Sequence, residues 1–266
     1  MNPIFHISLD GQTIDLASRL ISLEISDYAD TDSDTLNLVL ADPDNSLELP
    51  RRGVELTAAI GFKETGLIDK GLFTVDEVEY SAPPNTLTIS ARAANFRGSF
   101  RQRYDATATI KEKRMVIMPK AEAKSLSGAP LPAVNITENQ CASWRLMIAD
   151  RGSNISGVSA KWLSDERGNT FTVTAGEKSN SQMLSKTYPT KSEALAAAAG
   201  ELKRRKRAGM SIDVQLATGN PNIIAESPIK LTDFKGEIDG TGWIATEVRH
   251  SLNNQGLMTS LKIEQA

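Results

Sequence analysis

The sequence predicts a mainly β fold with a few helices: two duplicated antiparallel β-barrel-like modules and a small inserted β-domain. Three observations carry this. Apolar and polar residues alternate in many short runs, the period of a half-buried strand, as in Phe5, Ile7 and Leu9 or Leu36, Leu38 and Leu40. Turn clusters such as Asp10-Gly11, Asp42-Pro43-Asp44-Asn45 and Pro83-Pro84-Asn85 separate those runs. Finally, four runs recur in the same order along the chain, and a repeat of this kind dictates how the rest is read.

The repeat pairs Leu36-Asn37-Leu38-Val39-Leu40-Ala41 with Ile212-Asp213-Val214-Gln215-Leu216-Ala217, and Val54-Glu55-Leu56-Thr57 with Ile229-Lys230-Leu231-Thr232. It continues with Glu77-Val78-Glu79-Tyr80-Ser81 against Glu247-Val248-Arg249-His250-Ser251, and Leu87-Thr88-Ile89-Ser90 against Leu257-Met258-Thr259-Ser260. The offset falls only from 176 (212 − 36) to 170 (247 − 77), a change that two intervening loops absorb cheaply.

Residues 1–104 read as the first module. Phe5 to Leu9 alternates up to the Asp10-Gly11 hairpin turn, and Ile21, Leu23 and Ile25 alternate again. The acidic stretch from Ser26 to Asp34 has little to bury and reads as a loop; the Leu36–Leu40 strand follows. Strands are expected near 54–62, 71–81 and 87–93. Residues 105–180 read as the small inserted β-domain, with short strands at 115–118 and 134–137 and a hairpin of 158–162 with 170–173 around Asp165 to Gly168. Residues 181–266 read as the second module, in which a helix over 191–208 replaces the acidic loop. Thr190 with Glu193 forms a capping box, Ala194 to Ala199 is dense in helix formers, and Lys203 to Arg207 suits the C-terminal end of the dipole before Gly209. Strands at 210–217, 228–233, 242–251 and 257–264 complete it.

Composition narrows the function. The chain has 266 residues, 40% of them hydrophobic and 24% charged, with a formal net charge of −3, which gives no general attraction to nucleic acid. Its one cysteine, Cys141, excludes an intramolecular disulfide and points to a reducing compartment. The start Met1 to His6 shows no basic segment followed by an apolar run, and no apolar run approaches the roughly 20 residues needed to span a bilayer. These features predict a chain made and folded in a cytoplasm.

Catalytic chemistry is not expected. The only histidines are His6, in an alternating strand, and His250, the repeat partner of Tyr80, and neither has a nucleophile beside it in sequence. Asp30, Asp32 and Asp34 open like a calcium loop, but Thr35 stands where the turn needs Gly and Ala41 where the loop needs Glu. No phosphate-binding glycine loop and no Cys-x-x-Cys site occurs, so no cofactor and no metal are expected. The basic run Lys203 to Arg207 has no interleaved aromatic residue and wraps a helix end, which suits a solvated or protein-facing surface better than a nucleic-acid reader.

Ser26-Asp27 with its acidic loop, Leu36-Asn37-Leu38, Asp42-Pro43-Asp44, Leu49-Pro50-Arg51-Arg52-Gly53 and the run from Gly71 to Val78 resemble the late control gene D family, the baseplate hub proteins of contractile-tailed bacteriophages. The resemblance resumes with the run from Ser125 to Val134 and with Ser156-Gly157-Val158-Ser159-Ala160-Lys161-Trp162. It departs after the first module, where the Gln-x-x-Glu-Ser-Asp stretch usual in the family is absent and Thr109 to Lys113 runs directly into Arg114-Met115-Val116.

The resemblance implies a non-enzymatic homotrimer whose two tube modules per subunit close a six-module ring. One face of that ring would meet the hexameric tail tube protein and the other the trimeric spike protein, beside other baseplate proteins, in a virion tail assembled in the bacterial cytoplasm. DNA or a tape-measure protein would pass through the lumen, with Thr88, Ser90, Met258 and Thr259 on strands able to line it. Related hubs serve bacteriocins and extracellular injection systems, and these are the alternative. A DNA-binding late regulator using Lys203 to Arg207 and a cell-wall hydrolase are further alternatives that the residues favour less. The interface candidates are Leu36, Leu38, Val78, Tyr80, Val248 and His250, with Lys203, Arg204 and Arg207 on the helix, which is expected to break the six-fold symmetry.

Overall fold

The computed structural model describes residues 1–29, 33–93, 106–111, 114–119, 132–148, 156–163, 169–207 and 210–266; for 106–111, 114–119, 203, 204, 206 and 207 it describes the backbone alone. Asp30, Asp32, Lys113, Ser125 to Leu131, Asp165 to Gly168 and Gly209 lie outside the described residues, as do the side chains of Lys203, Arg204 and Arg207.

The chain is mainly β. It runs through β1 (Pro3–Leu9), β2 (Gln12–Thr13), β3 (Leu20–Tyr28), β4 (Thr35–Ala41), β5 (Glu55–Phe62), β6 (Gly66–Ser81) and β7 (Thr86–Ala93), then a separate hairpin of β8 (Ala106–Lys111) and β9 (Arg114–Pro119). There follow β10 (Val134–Thr137), β11 (Cys141–Ile148), β12 (Gly157–Leu163), β13 (Thr170–Gly176), β14 (Ser181–Tyr188) and helix α1 (Lys191–Arg207). The last elements are β15 (Met210–Leu216), β16 (Pro228–Thr232), the short helix α2 (Gly236–Asp239), β17 (Trp243–Asn253) and β18 (Gly256–Gln265). Asp10 and Gly11 turn β1 into β2 with φ of +48° and +79°, the left-handed pair that a two-residue hairpin loop demands.

Thirteen strands form one sheet, and its order β11-β15-β18-β17-β3-β4-β7-β6 contains the duplication. The unit β3-β4-β7-β6 is repeated, strand for strand, as β11-β15-β18-β17. The registers agree as well. Leu36 faces Ile25 on β3 and Ala91 on β7, and its repeat partner Ile212 faces Leu146 on β11 and Ile263 on β18. A bulge interrupts β3 between Leu20 and Ser22, and the matching bulge interrupts β11 between Cys141 and Ser143. A second pair of bulges falls between Val75 and Glu77 on β6 and between Ala245 and Glu247 on β17. A bulge adds a residue to one strand and bends it, so both copies bend at the same two places.

The structure corrects the expected repeat in one respect and extends it in another. Tyr80 pairs with Leu87 while His250 pairs with Thr259, so Leu87 matches Thr259 and the fourth run is displaced by two residues. An even displacement keeps every side chain on its face, which is why the alternation hid it. The extension is β11: Cys141–Ile148 is the counterpart of Leu20–Asp27, a match not visible in the sequence.

The middle of the chain is also organised differently from the expectation. Val134–Thr137 pairs in parallel with Pro228–Thr232, and Ile136 sits in the second module's core at 2% exposure, so β10 and β11 belong to that module and not to the insert. Conversely, β14 and α1, expected in the second module, pack on the middle sheet. Strands β13-β12-β14 form a three-stranded sheet, and α1 lays Ala194, Ala198 and Leu202 against Val158 and Ala160. These helix positions recur every four residues, on one face of a helix. Thr190 Oγ1 accepts from the Glu193 backbone N–H (3.2 Å) and caps it as expected. The whole unit leaves β11 after Ile148 and returns at Met210, residues directly paired with each other. It therefore occupies the place that the acidic loop holds between β3 and β4.

Three cores result. Leu23, Ile25, Leu36, Leu38, Leu56, Ile60, Phe73 and Leu87 centre the first. Ile212, Val214, Leu231, Trp243, Val248 and Leu261 centre the second. The insert has its own, and no residue is shared among the three.

Candidate interface surfaces

The joint between the two modules is built inside the chain and shows what these modules do to one another. Strand β17 uses its β18 edge along its length, and its other edge passes from β16 to β3. Along β3 the antiparallel register is Val248 with Asp27, Arg249 with Ser26, His250 with Ile25, Ser251 with Glu24 and Leu252 with Leu23. The core side of this joint is dry: Val248, His250, Ile25 and Leu23 are all 3% exposed or less. On the other side Arg249 Nη1 reaches Glu24 Oε1 at 3.7 Å, while Arg249 Nη2 meets Glu247 Oε1 at 3.2 Å. Asp27 Oδ2 accepts from the Ala225 N–H (3.0 Å) and the Thr246 carbonyl from Ala29 N–H (3.0 Å), so main chain and side chain both cross the joint.

His250 anchors a second link. Lys70, on β6 of the first module, donates to the Pro221 carbonyl and lies 2.9 Å from His250 Nε2. The other ring nitrogen, Nδ1, lies 2.9 Å from Thr259 Oγ1. The Ile223 carbonyl lies 3.1 Å from Nε2. Burial, with the neighbouring Lys70 charge, pushes the imidazole pKa down to about 3 and keeps the ring neutral. His250 is thus a structural residue of the joint.

Tyr80, its repeat partner, sits in a different network. Its single hydroxyl proton is shared between Asp42 Oδ2 (3.1 Å) and Asn45 Oδ1 (2.9 Å). Asp42 is fully buried and also accepts from the N–H groups of Ser46 (2.9 Å) and Leu47 (3.2 Å) and from Arg19 (3.2 Å). Arg19 forks onto Asp44 with two 2.7 Å bonds, which hold the Asp44 carboxyl far below the usual carboxylate range. The Asp42-Pro43-Asp44-Asn45 motif is the folding knot of this loop.

Leu36 and Leu38 are 1% and 0% exposed on β4 and face their own core, so their side chains are already covered within the chain; alternation identified the strand's apolar face, and that face points inward. Val248 and His250 are covered by β3 of the same chain. Val78 and Tyr80, at the equivalent positions of β6, remain half-buried. The basic helix residues Lys203, Arg204 and Arg207 fall on the last turns of α1, on the insert.

The polar face of the eight-strand ribbon is continuous. Glu24, Asn37, Ser90 and Glu79 lie on the first module's part, and Arg145, Asp213, Lys262 and Arg249 on the second's. A concavity of about 410 Å³ on the second part is lined by Trp144, Arg145, Asp213, Glu247, Arg249 and Lys262. Thr88, Ser90 and Met258 lie on this face, but Thr259 is fully buried on the opposite one, where it accepts from the Asn220 N–H (2.9 Å) beside His250. Among the described residues no group of three or more His, Cys, Asp or Glu side chains is placed to hold a metal ion. No helix among them is long and apolar enough to cross a membrane.

The fold is similar to those of two solved tail proteins. The 43 kDa tail protein of prophage MuSo2 from Shewanella oneidensis superposes with a TM-score of 0.62, covering 98% of each chain at 12% identity. The tail protein of Neisseria meningitidis MC58 superposes with a TM-score of 0.61 at 10% identity, over 99% of this chain and 96% of that one. Sequence similarity narrows the class. The chain is 27% identical to the probable baseplate hub protein of Escherichia phage 186 over 361 aligned positions, 98% of this chain and 92% of the relative. It is 28% identical to the probable baseplate hub protein of Escherichia phage P2, over 99% of this chain and 93% of that one. No family model matches. The similarity to baseplate hub proteins carried by the motifs therefore extends over nearly the whole chain. Of the 361 positions aligned with the phage 186 protein, at least 95 (361 − 266) fall opposite gaps in this chain, so that relative carries residues this chain lacks.

Proposed function

We propose that this chain is the structural baseplate hub of a phage tail or tail-like particle, a trimeric adaptor that joins a hexameric tail tube to a trimeric spike. The observation that carries the reading is the side-by-side repeat of one four-stranded unit, down to the bulge positions, within a single chain. Three chains supply six such units, which suits a six-fold partner. The insert between β11 and β15 occurs once per chain, so around a three-chain ring it recurs at every second module and supplies a three-fold feature. The symmetry-breaking role expected of α1 passes to the whole insert, because α1 packs against β12, β13 and β14.

The proposal assigns no catalytic step and places the protein in the virion tail baseplate after assembly in the bacterial cytoplasm, among other baseplate proteins. The ribbon's polar face, with charges of both signs, suits a channel through which DNA or a tape-measure protein slides. A hub of a bacteriocin or injection system would use the same geometry. Light scattering tests the reading: a trimer has three times 28.8 kDa, 86.4 kDa. The purified protein is expected at that mass alone, or as three copies within a heavier complex once the cognate spike is added. A chain that stays monomeric and binds neither spike nor tube would sink the proposal.

A further inference from the structure

The insert's sheet has two edges, and one of them is unguarded. The order β13-β12-β14 puts β13 and β14 on the outside. Strand β14 carries Lys186, and its register against β12 shifts between Ser159 and Lys161; a charge and an irregularity both spoil a sheet edge as a template. Strand β13 has neither. Its seven residues, from Thr170 to Gly176, include no charge and no proline. They pair with β12 in unbroken register, from Leu163 with Thr170 to Gly157 with Gly176. No described strand takes the other side of β13. The side chains show the same gap. On the helix side of the sheet Val158 and Ala160 are 0% exposed, while their direct partners Ala175 and Val173 are half-buried. Phe171, stacked on Trp162 with ring centroids 5.3 Å apart, is 46% exposed. These apolar rows lose their cover at the last strand.

We propose that β13 pairs antiparallel with β13 of a second copy of this chain, about a two-fold axis at Val173, so that the two inserts share one sheet. The strand is its own complement. That axis sets Val173 against Val173 of the second copy, Phe171 against Ala175, Thr172 against Thr174 and Thr170 against Gly176. Apolar meets apolar on the helix side, and the largest side chain of the strand falls opposite a small one. On the other side threonine meets threonine, a pair that suits facing strands. A slip of one residue would set threonines against the apolar row. The next register that keeps the faces leaves two of the seven residues unpaired. No charge stands on either strand to repel a second copy. A two-fold contact uses the same patch on both partners, so it closes at two. It runs through the insert alone and goes beyond the hub reading, doubling whatever the ribbon forms. Two short edges make a small and reversible contact, which fills at high concentration.

Cross-linking of the whole chain tests it. In a Cys141→Ser background, Val173→Cys should oxidise to a dimer of 57.6 kDa (2 × 28.8) on a denaturing, non-reducing gel. Met183→Cys, at a position 43% exposed on β14, should not. Light scattering is the second arm: raising the concentration should double the mass found in dilute solution. Thr172→Glu sets two carboxylates near each other across the axis, while the facing Lys161 balances the charge within the chain. It should move the doubling to a concentration about tenfold higher or more. Adding Thr174→Lys puts opposite charges across both pairs and should bring the doubling back. Thermal melts check that each variant folds. A folded Val173→Cys chain that cross-links no more than Met183→Cys, or a doubling that Thr172→Glu leaves where it was, overturns the pairing and leaves the hub reading untouched. Cross-linking of Val173→Cys to an added baseplate protein and not to itself assigns the edge to that protein and overturns self-pairing. A chain that gives the self-cross-link yet binds neither spike nor tube keeps the pairing and sinks the hub.

Discussion

Two residues show how repeat partners diverge. Asp42 is fully buried and accepts four hydrogen bonds, so its removal strands two backbone donors and takes one acceptor each from the Tyr80 hydroxyl and Arg19. Asp42→Ala should cost about 3 kcal/mol in urea unfolding, while Tyr80→Phe, which leaves Asp42 three donors, should cost about 1 kcal/mol. His250 answers to pH. Above about 6.5 the ring is neutral in the folded and the unfolded chain alike and adds no pH dependence. Between that value and about 3 the unfolded chain binds a proton that the folded one refuses, so stability falls as the pH falls, by up to about 1.4 kcal/mol per unit. Urea midpoints taken from pH 7 to pH 4 should show His250→Gln with a shallower loss than the parent, and parallel profiles would refute this account. Pairing Tyr80 with His250 was legible in the sequence because both sit two residues after a shared valine position. Lys70 was not: it reaches across 180 residues, and no periodicity marks a contact of that range.

At the scale of elements, the strands were legible and one of their kinships was not. Alternation and turn clusters placed β1, β3, β4 and β7 well, because each has one buried and one polar face. The match of β11 to β3 escaped because the eight paired positions share a single identity, Ser22 with Ser143, and an insert separates β11 from the rest of its unit. The conserved quantity is geometric: hydrogen-bond order, register and bulge. The same geometry makes the insert separable. Ile148 and Met210 face one another directly, so residues 149–209 can be replaced by a two-residue Asn-Gly turn. The shortened chain should keep a β-rich circular dichroism spectrum and unfold cooperatively, since the insert's core shares no residue with the other two. Loss of cooperative unfolding would show that the modules lean on the insert.

For the whole molecule, the sequence indicated two modules, and the fold adds that they are consecutive segments of one continuous ribbon with unlike ends. In the trimer proposed above, such an object joins copies of itself end to end, and a block joined in that way either closes or grows without limit. Which of the two happens is a matter of the turn taken at each joint, and the paired bulges at Asp76 and Thr246 bend the two long strands where that turn is made. Deleting Asp76 straightens one joint and spares the other. Seen by negative-stain microscopy, that variant should give curved filaments and open arcs in place of the discrete rings that the proposed trimer forms. A one-residue deletion would then turn a counted assembly into an uncounted polymer.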